Sequence, residues 1–296
     1  MPKKKHPFLA IVFILCGVAV FLTLTIAVVF KVLGISSALS IGDKIGVVPI
    51  EGIISNSKDI LSHLVKFEKD QSIKAIILRI DSPGGSIGPT QEIYHQIRKI
   101  IKTKKVVVSM GAVAASGGYY IAAAADKIVA NPGTITGSIG VLMEFLRFEE
   151  LFKKIGVHLE VIKSGEFKDV GSPHRKLTKR DRELLIRVIT DIKNQFIDGV
   201  AAGRRMPVEK VREIADGRIF TGARAMELGL VDVLGNFQDA VDIAKEMSGI
   251  VGEVNLVYPE KRKSRLLDII METGIKSLKK AIQETNIPIE YRWRGL

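Results

Sequence analysis

The sequence predicts an α/β fold with largely parallel strands, preceded by one membrane-spanning helix. Three observations carry this reading. Short β-rich runs end in Gly-rich turns, helix-patterned stretches follow those turns, and a long uncharged run stands near the N-terminus. Alternation of strand and helix signals is the pattern of a parallel sheet covered by helices.

The N-terminal element comes first. Phe8–Phe30 contains no charged side chain, and Lys3, Lys4 and Lys5 precede it. At about 1.5 Å per residue, a helix of that length spans the roughly 30 Å hydrocarbon core of a bilayer. Basic residues stay on the cytoplasmic side, so the N-terminus is expected inside and the remainder outside. Ser36-Ser37-Ala38 would suit signal cleavage. The apolar run is longer than the roughly 7–15 residues of a signal peptide core, which favours an anchor. The resulting division is a basic cytoplasmic segment (1–7), an anchor (8–33), a linker (34–44), a folded domain (45–250) and a basic extension (251–296).

Within the folded domain, Ile45–Ile50 and Lys74–Ile80 read as strands, the second closed by Asp81-Ser82-Pro83-Gly84-Gly85. A helix is expected from about Thr90 to Lys102, then a strand at Lys105–Ser109. The alanines and glycines of Gly111–Ala125 suit a tightly packed helix. Lys127–Ala130 and Leu159–Lys163 read as further strands. Thr178–Ala202 carries a long amphipathic helix pattern, with shorter ones at Pro207–Asp216, Thr221–Leu228 and Phe237–Met247. From Pro259 the chain turns basic.

The chain has 44 basic and 32 acidic residues, a net charge of +12, and much of the excess lies at the termini. No recognition motif accompanies it, which speaks against nucleic acid; the basic tail reads as a solvated helical appendage or, more sharply, as a contact with anionic lipid or a neighbouring subunit. The one cysteine, Cys16, excludes an intrachain disulfide, and the scattered histidines offer no metal cluster. Neither a P-loop nor G-x-G-x-x-G occurs, which removes the nucleotide-binding motifs.

Three segments could carry chemistry. Ala115-Ser116-Gly117-Gly118 stands at a strand-to-helix transition, where small neighbours let a substrate approach and helix N–H groups face a developing oxyanion. Taken alone, it fits a helix N-cap better than a nucleophile. Pro83-Gly84-Gly85-Ser86 is a turn that could donate a backbone N–H, or an ordinary turn. Lys163 and Lys168 flank Ser164-Gly165-Glu166-Phe167, and on physics alone they are equal candidates for a general base.

Five segments in order resemble the signal peptide peptidase A (SppA) family in its short bacterial form. They are IDSPGG (Ile80–Gly85), VSMGAVAASGGYYIAAAADKIVA (Val108–Ala130), TGSIGV (Thr136–Val141), IKSGEFKD (Ile162–Asp169) and ADGRIFTGARAMELGLVDVLG (Ala215–Gly235). This chain has Ser86 where some relatives have a third glycine. The resemblance implies a ClpP/crotonase-like superhelix of ββα units. It implies a membrane serine endopeptidase with Ser116 as nucleophile and Lys168 as general base, and so selects Lys168 over Lys163. It places oxyanion donors at the N–H groups of Gly85 and Gly117, and gives Ser138 the task of orienting the lysine. It further implies remnant signal peptides as substrates, a ring-shaped homo-oligomer, the bacterial cytoplasmic membrane as location, and no cofactor or metal. The alternatives are a related protease acting on apolar segments of membrane proteins, an acyl-CoA enzyme on the same fold, and a non-catalytic membrane scaffold.

Overall fold

The protein is described from a computed structural model over residues 14–23, 25, 43–259 and 289–292. The chain divides into two units, Met1–Gly42 and Asp43–Leu296. In the first, residues 14–23 form a helix (α1) whose side chains are exposed. Among the described residues no helix is long and apolar enough to cross a membrane. Most of the expected Phe8–Phe30 span lies outside the described residues, as do the linker before Asp43 and most of the basic extension.

The second unit is built on a mixed, mainly parallel sheet. Its elements run β1 (Lys44–Glu51), α2 (Lys58–Lys69), β2 (Ile73–Ser82), β3 (Gly84–Ser86), α3 (Ile87–Ile100), β4 (Lys105–Ala115), α4 (Gly117–Ala122), β5 (Lys127–Ala130), β6 (Ile135–Gly137) and β7 (Leu142–Met143). There follow α5 (Glu149–Lys154), α6 (Lys179–Arg204), α7 (Val208–Ile214), β8 (Ile219–Thr221), α8 (Gly222–Glu227), β9 (Val233–Leu234), α9 (Phe237–Ser248), β10 (Asn255–Val257) and β11 (Ile289–Arg292). The main sheet has the order β10-β1-β2-β4-β5-β9, with β6 on β4 and β8 on β6. All its pairings are parallel except β6 with β8.

Strand side chains alternate between faces. Ile45, Val47, Ala75, Ile77, Val107 and Val129 pack with Ala240, Val241 and Ala244 of α9. Val48, Ile50, Ile76, Leu78, Ile80, Val106 and Val108 belong to the larger core on the opposite face, with Ile93, Ile97, Tyr119 and Phe196. Both faces are covered, which explains why β2 and β4 read as continuous apolar runs rather than alternating ones.

The helix α6 sets the back of the site. Thr178 and Asp181 form a reciprocal capping box at its start. At its far end, a Cβ on Gly203 would lie 1.9 Å from the Ala123 carbonyl oxygen, so only glycine allows this approach beneath α4. Tyr94 of α3 donates to the Gly199 carbonyl oxygen at 2.8 Å and joins α3 to the same helix, α6.

Two sequence expectations need correction. Gly111–Ala125 is not one helix: β4 continues to Ala115 and only Gly117–Ala122 is helical. The small residues there serve close strand and helix packing alike. Leu159–Lys163 is not a strand, because among the described residues no strand pairs with it, and its apolar side chains are exposed, Ile162 by 94%.

Candidate active site

The strand β4 bends in order to present Ser116. Its first half pairs with β2 and β5. Its register against β2 then jumps, from Ile80 opposite Met110 to Ser82 opposite Ala114, and its last residues pair with β6. Side-chain hydrogen bonds to the backbone fix the bend. Asp81 accepts from the Val113 N–H, while Thr134 and Thr136 donate to the carbonyl oxygens of Gly111 and Ala114. A glycine is needed at Gly111, where a Cβ would press on Asp81.

Ser116 follows in a conformation that L-residues avoid, φ 53° and ψ −117°. Its backbone is held from both sides: its N–H donates to the Gly137 carbonyl oxygen at 2.8 Å, and its own carbonyl oxygen accepts from Tyr120 at 2.8 Å. Ser116 is 1% exposed, yet its hydroxyl caps nothing. Ser116 therefore occupies the N-cap position of α4 through its backbone, while its side chain makes no capping hydrogen bond. Its hydroxyl follows a strained strand-to-helix turn and has no hydrogen-bond partner among the described residues.

Three of the other expected residues lie around it. Gly117 opens α4 directly after Ser116. Ala115 pairs with Gly137, so Ser116 and Ser138 sit side by side at the ends of adjacent parallel strands. Ser138 is also left-handed, at φ 51° and 8% exposed, and its N–H donates to the Arg218 carbonyl oxygen. Gly85 lies on β3, which approaches α4. A Cβ on Gly85 would meet the Ile54 carbonyl oxygen at 2.1 Å, so the turn is locked against that backbone. The buried Ser82 completes the turn, donating to Gly52 and accepting from the Gly84 N–H.

The strand position over this turn is filled by the chain itself. β11 runs antiparallel to β3 on one side and to β7 on the other. Tyr291 stands opposite Gly85, and Arg292 opposite Gly84. The edges of β3 and β7 are thus one strand apart and take a single extended segment between them.

Lys168 lies on the irregular segment that precedes α6. It is exposed, and among the described residues its ammonium has no hydrogen bond or ion pair. Lys163 is differently placed. Its ammonium donates to Asp169 at 2.8 Å and to the Glu166 carbonyl oxygen at 2.9 Å. Lys163 is thus engaged by Asp169, whereas Lys168 has no partner among the described residues.

Sequence reasoning missed the groups around Lys168. Arg175 binds Asp169 through Nε and Nη2, at 2.9 and 2.8 Å, and binds Asp181 through Nη1 at 2.5 Å. Its guanidinium holds the Asp169 carboxyl well below the usual carboxylate range, with Lys163 adding to the effect. The same arginine, with the Thr178 N–H, brings Asp181 down to about 2. The available signal was Thr178-x-x-Asp181, a capping pattern that marks where α6 begins. No pattern marked Arg175 or β11.

Comparison with known proteins follows the same segments. Residues 98–250 match the profile of peptidase family S49, and residues 47–134 match Clp protease. A Synechocystis sp. protein named "Putative protease slr0021" is 45% identical over 208 residues, which is 70% of this chain and 75% of that protein. "Putative signal peptide peptidase SppA" of Enterococcus faecium is 39% identical over 69% of this chain and 59% of its own length. "Serine protease SPPA, chloroplastic" of Arabidopsis thaliana is 36% identical over 74% of this chain, but over only 33% of its own length.

Proposed function

The chain belongs to peptidase family S49 and is a serine endopeptidase, and from that premise we propose that Ser116 is its nucleophile and Lys168 its general base. The observation that carries this is the Ser116 turn, strained, uncapped and seated beside Gly137 and Ser138. Neutral Lys168 takes the Ser116 proton as Oγ attacks the scissile carbonyl carbon. The N–H groups of Gly85 and Gly117 donate to the oxyanion, and the Ser138 hydroxyl orients the lysine amine. Collapse of the tetrahedral intermediate breaks the C–N bond, and the lysine returns the proton to the departing amine. Water, with Lys168 again as base, then hydrolyses the acyl-enzyme. Purified protein should cleave an apolar peptide and take a phosphonate label, both lost in Ser116→Ala.

The substrate is proposed to bind as an extended strand between β3 and β7, where β11 now lies. Main-chain pairing of that kind supplies affinity without demanding a particular sequence. Deleting residues 289–296 should lower KM for an apolar peptide several-fold and leave kcat unchanged. An unaltered KM would remove the strand-position reading.

Remnant signal peptides are the proposed substrates, supported by the printed name of the Enterococcus relative and by the uncharged Phe8–Phe30 run. That run would anchor the enzyme in the membrane where such peptides remain. A reporter fused after Gly235 should behave as extracytoplasmic; a cytoplasmic signal would overturn this topology.

A further inference from the structure

Both sides of Lys168 are tied to the start of α6, and Lys168 itself is not. Glu166 pairs with Arg180 at 2.9 Å, and the Phe167 ring lies under the Arg180 guanidinium. On the other side, Asp169 is 10% exposed and is shared by Lys163 and Arg175. Arg175 in turn reaches Asp181, which is 2% exposed and locked in the capping box by Thr178. Of the charged side chains from Lys163 to Asp169, Lys168 alone has no partner among the described residues.

This pattern has a chemical consequence. An aspartate beside a lysine stabilises the ammonium and opposes its use as a base. Here the neighbouring carboxylate is already committed to two other cations. The second carboxylate, Asp181, belongs to a rigid helix start rather than to the loop. A planar guanidinium can bind two carboxylates at fixed geometry, which a lysine ammonium cannot do as specifically.

We infer that Arg175 is a positioning residue for Lys168: by clamping Asp169 to the buried Asp181, it fixes the loop that presents Lys168 and withholds the adjacent carboxylate from its amine. This rests on Lys168 being the general base. The charged and titratable groups on the loop and on the α6 start are Lys163, Glu166, Asp169, His174, Arg175, Lys176, Lys179, Arg180, Asp181, Arg182 and Glu183.

The test is a set of kinetic pH profiles on the full chain. Arg175→Ala is expected to lower kcat by about 10–100-fold, with KM nearly unchanged, because misplacement of a reacting group by about 1 Å costs on that order. The acid limb of kcat/KM should move to higher pH, because Asp169, released from Arg175 and held by Lys163 alone, favours the ammonium, and a base works only once deprotonated. Asp169→Asn added to Arg175→Ala should return the limb toward its original position without restoring kcat. Arg175→Lys, which keeps the charge, covers the case in which the alanine variant folds poorly, and should recover part of kcat at a near-native melting temperature. An inactive Lys168→Ala beside Arg175 variants with unaltered kcat and acid limb would overturn the brace alone. Full activity in Lys168→Ala would strike the dyad, and the brace with it.

Discussion

Ser116→Ala should abolish peptide hydrolysis, by at least about 10⁴-fold in kcat, while leaving the melting temperature close to that of the parent. The two halves of this expectation come from the same turn. Alanine keeps the Cβ, so the strain at φ 53° is the same in both proteins. The hydroxyl caps no helix and has no partner among the described residues, so its removal leaves no unsatisfied group behind. Ser116→Gly sharpens the point. Glycine accepts positive φ freely and would release strain on the order of 1–3 kcal/mol. Its greater freedom in the unfolded chain returns roughly 0.4–1 kcal/mol of that. The glycine variant should therefore melt no lower than the parent and be equally inactive. Turnover of a fluorogenic apolar peptide, phosphonate labelling and a thermal melt read all three. A label retained on the alanine variant would place the nucleophile elsewhere.

Lys168→Ala should lose about 10²–10⁴-fold in kcat, the range typical of a positioned general base. Lys163→Ala is the control, because the two lysines share a loop and a charge. Lys163 makes a partly exposed ion pair with Asp169, and such pairs contribute about 0.2–1 kcal/mol. Its loss should cost no more than about fivefold, with Arg175 still holding Asp169. Equal losses in the two variants, compared side by side on one apolar peptide, would mean that the loop is needed only as a whole.

The fold was legible where burial shows in composition. The runs at β1, β2, β4 and β5 are apolar because helices cover both sheet faces, and α6 and α9 announce themselves by one-sided patterns. What escaped was decided by tertiary pairing. The segment Leu159–Lys163 has strand chemistry but no strand partner among the described residues, while the glycines of β3 have poor strand chemistry and acquire partners in Ile54 and β11. The bend of β4 was hidden as well, because alanine and glycine suit a helix and a crowded strand equally. At the site, Ser116 stood out through its glycines, but its conformation did not. Arg175 carried no signal, since its importance lies in two carboxylates that the chain brings together only after folding.

The strand formed by residues 289–292 is joined to the same chain as the groove it occupies. If it folds back onto its own groove, its effective concentration there is set by the tether, on the order of millimolar for a flexible link, and does not fall when the protein is diluted. A free peptide in dilute solution then competes at a large disadvantage. A peptide gathered into a membrane plane beside the enzyme would compete on nearly even terms, because it too is present at high local density. The groove would thereby discriminate by where a peptide resides as well as by what it contains.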